Sequence, residues 1–290
     1  MRTRLPRSLA ALILSAVIVA SACSSDDDAT TTTAAPTTDA AASTDSVDST
    51  DAPSTTIAAA PLRILVTNDD GYASAGIDAV VEALRALPDV EITVVAPAEN
   101  QSGKGDSTTD GPVEATEATT ASGYPAVAVA GTPADSVNHA LDVVLADAAP
   151  DLVVSGSNEG QNLGIITDVS GTVGAARTAA RRGIPALAIS QGIAEAPDFA
   201  AGVAVAVDWV AEHRGDVLAF EGATAEVWSI NAPTCAVGEN KGLIEIATAT
   251  ESIGTEVGTD TDCSVDLTEP ANDVEAFNAG WITLSNVGLD

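Results

Sequence analysis

Basic residues are scarce in this chain: 11 Lys and Arg stand against 42 Asp and Glu, for a formal charge of −31. A surface so negative repels a polyanion, which argues against DNA or RNA as a partner. Histidine is nearly absent, with only His139 and His213, both within helix-patterned segments. Helix-surface or helix-end roles suit them better than catalysis. Aromatics are few, and Trp209, Trp228 and Trp281 are dispersed, as core residues are, rather than grouped as a base-stacking platform. The first strand candidate is followed by TNDDGYASAG, without the G-x-G-x-x-G of a dinucleotide-binding turn, so a Rossmann dehydrogenase is excluded.

Long apolar runs are missing too. Leu9–Ala20 is apolar for 12 residues, too short to span a bilayer and the right length for a signal-peptide core. Arg2, Arg4 and Arg7 precede it as a basic n-region, and Ala20-Ser21-Ala22-Cys23 follows. Small residues before a cysteine resemble a bacterial lipobox, with Cys23 as the lipidated first residue. Plain signal-peptidase cleavage after Ala22 fits as well. The expected organisation is a signal peptide over 1–22, a linker over 23–61 and a folded domain over 62–290. The linker is rich in Ser, Thr, Ala and Asp, with seven Asp (26, 27, 28, 39, 45, 48, 51) and no Lys, Arg or aromatic residue. It has little to bury and its charges repel, so it reads as a disordered tether. Export to the cell envelope as a lipoprotein is the expectation, with secretion as the alternative. Any membrane contact would be through the lipid. Loss of Arg2, Arg4 and Arg7 takes the charge from −31 to −34. With Cys23 lipidated, Cys235 and Cys263 remain, and a cysteine pair in an exported protein reads as a disulfide.

From Leu62 onward, short apolar runs alternate with helical stripes. Strands are expected at 63–67, 91–97, 124–131, 151–156 and 185–190. Helices are expected at 75–87, 132–147, 172–183 and 198–213. The second of these helices opens with Thr132 as N-cap and Pro133 in the first turn. Alternation of this kind implies an α/β fold with a mostly parallel sheet flanked by helices. Beyond residue 220, AEVWSINAP, KGLIEIATAT and AGWITLS read as strands without clear helices between them, an appended β-rich portion of the same domain.

Ligands of open parallel sheets sit beyond the carboxyl ends of the strands. Three strand ends carry unusual loops: Asn68-Asp69-Asp70-Gly71, APAENQSGKGDS (96–107) and SGSNEGQNLG (155–164). Together they offer carboxylates, a hydroxyl and an amide oxygen. An all-oxygen set suits Mg²⁺ or Mn²⁺, and the absence of His and Cys there argues against zinc. A cation would make two adjacent carboxylates favourable at a crowded strand end. As a lone motif, Asp-Asp-Gly is more often a plain turn. The loop SGTVGAA adds weight, because a helix opening presents free N–H groups to an anion. Metal and anion sites together suggest a phosphate ester.

At this point the sequence resembles the SurE family of survival proteins, metal-dependent 5′/3′-nucleotidases. The matching stretches are ILVTNDDGY, VVAPAENQSG, GTPADSV, DLVVSGSNEGQNLG, SGTVGAA, PALAIS, SINAP and AFNAGWITLS, spread over nearly all of 62–284. The resemblance implies a Rossmann-like core and hydrolysis of nucleoside monophosphates. It puts one divalent ion, Mg²⁺ or Mn²⁺, on Asp69, Asp70, Ser102 and Asn158, with Asp69 and Asp70 also catalytic. Asn68, Asn100, Ser170, Gly171 and Thr172 would surround the phosphate. A homodimer is one of the arrangements it leaves open. Ile165, Ile166 and Val169 depart from the family, where many relatives carry an acidic residue and a Tyr. A haloacid-dehalogenase-type phosphatase also begins with a strand and acidic residues, but it needs a nucleophilic carboxylate where Asn68 stands. The rival reading from another class is a non-catalytic metal- or nucleotide-binding lipoprotein that keeps the pocket without turnover.

Overall fold

The computed structural model of the protein describes residues 60–251 and 261–289. The signal segment, Cys23 and the linker up to residue 59 lie outside the described residues. In chain order the first elements are β1 (Leu62–Thr67), α1 (Ala75–Leu84), β2 (Val90–Pro97), β3 (Ala115–Thr119), β4 (Pro125–Val129) and α2 (Pro133–His139). There follow β5 (Leu152–Glu159), α3 (Gly171–Arg181), β6 (Ala186–Gln191), α4 (Ala200–Leu218) and β7 (Val227–Ala232). The last are β8 (Cys235–Val237), β9 (Leu243–Glu245), β10 (Thr261–Asp262), α5 (Asp273–Asn278) and β11 (Ile282–Val287).

Among the described residues, nine strands form one sheet in the order β3-β4-β2-β1-β5-β6-β7-β11-β9. From β4 to β7 every pairing is parallel. The central strands are apolar almost throughout because both faces are covered. Side chains alternate across the sheet: Ile64 and Val66 pack with Ile77 and Val81 of α1 and with Val203 and Trp209 of α4. Leu65 packs on the other face with Val137 of α2 and with Val173 and Ala176 of α3. The chain leaves β1 toward β2 and β4, then returns to place β5 on the opposite flank of β1. Such a reversal opens a crevice at the carboxyl ends of the two strands. The loops after β1, β2 and β5 are therefore neighbours.

The structure departs from the sequence expectation in three elements. β3 was not expected: its ATEAT sequence has no apolar face, and it survives as an antiparallel edge strand on β4, where polar side chains are tolerated. The helix expected over 132–147 keeps α geometry only to His139 and continues as a π turn over Ala140–Val144, where Val143 is 63% exposed. The C-terminal portion does contain a helix. The short α5 is started by Asn272, whose side chain accepts from the Glu275 N–H. β11 is antiparallel to β7, and β9 is parallel to β11, so this portion extends the same sheet. β8 and β10 form a separate small pair, where Cys235 and Cys263 are joined by a disulfide.

Candidate active site

β1 runs directly into the NDDG turn. Asn68 is fully buried, and its amide closes the turn. Nδ2 donates to the Gly71 carbonyl at 3.0 Å and to Ser74 Oγ at 2.9 Å, while Oδ1 accepts from Gly71 N at 3.1 Å. Both amide hydrogens are spent there, so what Asn68 offers the site is the shape of the turn. Gly71 has φ of 105°, a conformation that glycine adopts without strain.

The turn sends its two carboxylates to different partners. Asp69 is 3% exposed, and its Oδ1 accepts from Thr172 Oγ1 at 2.7 Å. Thr172 lies in the first turn of α3, whose N-cap Ser170 accepts from Val173 N. A Cβ on Gly171 would come within 2.7 Å of Asp69 Cβ and 2.8 Å of its Oδ2, so only glycine lets α3 begin this close to the carboxylate. Asp70 is held by the other two loops. Asn100 Nδ2 donates to its Oδ1 and the Glu159 backbone N–H to its Oδ2, each at 3.0 Å. Gln101 N also donates to the Asp69 carbonyl at 2.7 Å, docking the second loop on the first. Asn100 Oδ1 accepts from Ser102 N, which places Ser102 beside the pair on an exposed loop. Asn158 is 8% exposed at the end of β5, and its Nδ2 donates to the Gly160 carbonyl at 2.6 Å. Among the described residues nothing donates to its amide oxygen.

Burial raises the Asp69 carboxyl to about 6; the Thr172 hydrogen bond pulls it down and the neighbouring Asp70 pushes it up again. Asp70 is raised as well, chiefly by burial. No described Lys or Arg forms an ion pair with either carboxylate. Two carboxylates without a cation, a serine hydroxyl and an amide oxygen make a donor set that fits a hard divalent ion.

Residues that the sequence did not single out complete the site. Asn162 N donates to Asn231 Oδ1 at 2.7 Å, and Asn162 Nδ2 donates to Ser190 Oγ at 2.8 Å and to Thr172 Oγ1 at 3.4 Å. This buried chain of amides and hydroxyls ends on the group that holds Asp69. Thr67, Ser155 and Ser157 add buried hydroxyls without a partner on β1 and β5. Asp273 of α5 anchors the loop after β5, accepting from Gly164 N at 2.8 Å and Ala249 N at 2.7 Å. The departing residues Ile165 and Val169 are 39% and 54% exposed just before α3. His213 is stacked on Trp209 with centroids 4.4 Å apart, within α4.

The sequence matches the family model of "Survival protein SurE" over residues 64–254. It is 47% identical over 153 residues to the 5′-nucleotidase SurE of Methanocella arvoryzae, covering 52% of this chain and 57% of that protein. The chain thus spans little more than half the length of that relative. With the 5′-nucleotidase SurE of Porphyromonas gingivalis the identity is 33% over 243 residues, covering 80% of this chain and 92% of the relative. The crystal structure of the SurE protein from Aquifex aeolicus aligns with a TM-score of 0.64 and 31% identity, covering 79% of this chain and 94% of that one.

Proposed function

The chain belongs to the SurE family of survival proteins, and from that premise we propose that it is a divalent-metal-dependent phosphomonoesterase, hydrolysing nucleoside 5′- and 3′-monophosphates to nucleoside and phosphate. The observation that carries this reading is the start of α3, seated through Gly171 and Thr172 directly against the buried Asp69 and its neighbour Asp70. Asp69, Asp70, Ser102 and Asn158 would hold the ion. When bound, such an ion supplies charge neutralisation at the phosphate and a water acidic enough to attack it.

The chain's own residues do the rest. The Gly171 N–H, at the positive end of an eleven-residue helix, receives a phosphoryl oxygen. Asn100 and the Glu159 N–H keep Asp70 in place. Asp69 and Asp70 stand side by side where either can orient the attacking water or take its proton. The water oxygen bonds to phosphorus, the ester P–O bond breaks, and the nucleoside oxygen takes a proton from solvent. No side-chain nucleophile is required. The second reading, a binder without turnover, is favoured by the exposed apolar Ile165 and Val169 beside the helix start.

Phosphate release from AMP by the purified protein, with Mn²⁺ or Mg²⁺ and then with excess chelator, decides between the two. Metal-dependent release is expected. Nucleotide binding without any release would leave the second reading standing. For the N-terminus we propose an envelope lipoprotein anchored at Cys23, with the signal and tether composition as its support.

A further inference from the structure

We infer that the cavity at the amino ends of β6 and β7 is a binding site for a small organic ammonium ion. It does not depend on the nucleotidase reading. The cavity holds about 400 Å³, and Trp209, His213, Phe220 and Trp228 line it together with Asp216 and Glu226. Glu226 immediately precedes β7, and Pro185, also on the wall, immediately precedes β6. The loops of the candidate active site lie at the opposite, carboxyl ends of the sheet. Each of the two strands has six residues, so roughly 20 Å separates the places.

The gathering of aromatic rings carries the argument. The chain has only eight Phe, Trp and Tyr residues, yet three of them meet here with one of its two histidines. Trp209 and Trp228 are far apart in sequence and come together because α4 lies back along β6 and β7. His213 is stacked on Trp209, and its Nδ1 lies 2.9 Å from the Trp209 carbonyl, so both rings are held in place before a ligand arrives. Phe220 and Trp228 keep part of their surface open to solvent. Apolar ring surface left in water is unfavourable, and a ligand with carbon surface of its own removes that cost.

Charge selects the occupant. Asp216 and Glu226 form no ion pair among the described residues, and no described Lys or Arg lines the cavity. Asp216 and Val217 belong to the last turn of α4, a nineteen-residue helix with no basic residue in that turn, so its negative end adds to the same field. All of these repel an anion, and a neutral apolar molecule gains nothing from them. A bare divalent ion wants about six oxygen ligands, which two carboxylates among rings do not supply. An alkylated ammonium ion meets both features: its carbon surface packs on the rings, and its diffuse charge is attracted by ring faces and carboxylates alike. The chain makes that pairing internally in one place, where the Arg85 guanidinium lies 5.6 Å from the centroid of Tyr124. The larger cavity beside β2 and β4 has Tyr124 as its aromatic residue, so its ring is already served. At the α4 cavity the rings have no such cation from the described chain.

The test uses the full chain, with choline as the probe and dimethylbutanol, its uncharged tert-butyl isostere, as the control. Binding is read by tryptophan fluorescence and by calorimetry at low, constant ionic strength. Choline is expected to bind saturably and about tenfold more tightly than the alcohol. Glu226→Gln and Asp216→Asn, both at exposed positions, should each weaken choline about threefold and leave the alcohol within about twofold. Trp228→Leu should weaken choline about tenfold, whereas Trp228→Phe keeps an aromatic face and should retain most of the affinity. That pair separates loss of a ring from loss of the fold. Equal affinity for choline and the alcohol overturns the inference, and so does choline binding that the double carboxylate variant leaves unchanged. Absence of a saturable choline signal at about 10 mM, where a site of 1 mM dissociation constant is about nine-tenths filled, ends it.

Discussion

Asp69 is a buried acid whose ionisation is opposed by its surroundings and eased by one hydroxyl. Its carboxyl, near 6 when folded, lies above the ordinary 3.8. A group raised on folding favours the fold below its unfolded value, and that contribution is lost as pH rises through the folded value. In chelator, therefore, the stability of Asp69→Asn relative to wild type should climb between pH 4 and pH 6 and level off above; urea melts across that range read it. Metal reverses the sense, because ion and proton compete for the same oxygens. Apparent Mn²⁺ affinity should fall by up to about tenfold per unit as pH drops below 6, measured by calorimetry. At Asp70 the expectation is simpler. Asp70→Asn should remove metal-dependent phosphatase activity while the circular dichroism spectrum is kept, and full activity in that variant would rule out the proposed ion site.

Between elements, the outer strands depend on one helix residue. Asp78 of α1 accepts from Thr120 Oγ1 at 2.6 Å, Ser122 N at 2.9 Å and Ser122 Oγ at 2.7 Å, tying α1 to the β3–β4 turn. Burial opposes its charge, but these donors outweigh it and hold the carboxyl below its ordinary 3.8. The stability it contributes is present above that value and is lost as pH falls through the folded one. Asp78→Ala should cost about 1–3 kcal/mol in a denaturant melt at pH 7, with the difference fading in acid. The β8–β10 pair relies on the Cys235–Cys263 link, which spans a sequence separation of 28. Opening it should destabilise the domain by roughly 3–4 kcal/mol on the chain-entropy account. Alkylation before and after reduction, followed by melting, checks both the bond and its worth.

Across the whole molecule, a formal charge of −31 faces a substrate that is itself a dianion. Long-range repulsion slows encounter, and salt shortens its reach, with a Debye length of about 10 Å at 0.1 M and 3 Å at 1 M. At saturating metal, kcat/KM for a nucleoside monophosphate should rise from low to moderate NaCl, mostly through KM. A flat or falling profile at constant free metal would show that the surface field does not reach the strand ends.

The α/β class and the strand-end loops were legible in the sequence because both follow from local rules. Apolar runs such as RILVT can only be covered strands, and two carboxylates directly after one have few reasons to be adjacent. Polar ATEAT showed no pattern, since its place at the edge comes from pairing with β4 rather than from its own side chains. Asn162 and Asn231, 69 residues apart, read as ordinary loop and strand-end amides until the sheet order set β5, β6 and β7 side by side. The sequence by itself determined which residues are apolar, which carry charge and where strands end. Tertiary structure alone decided which distant polar groups share one buried space, because desolvation and hydrogen bonding act at distances the chain spans only when folded.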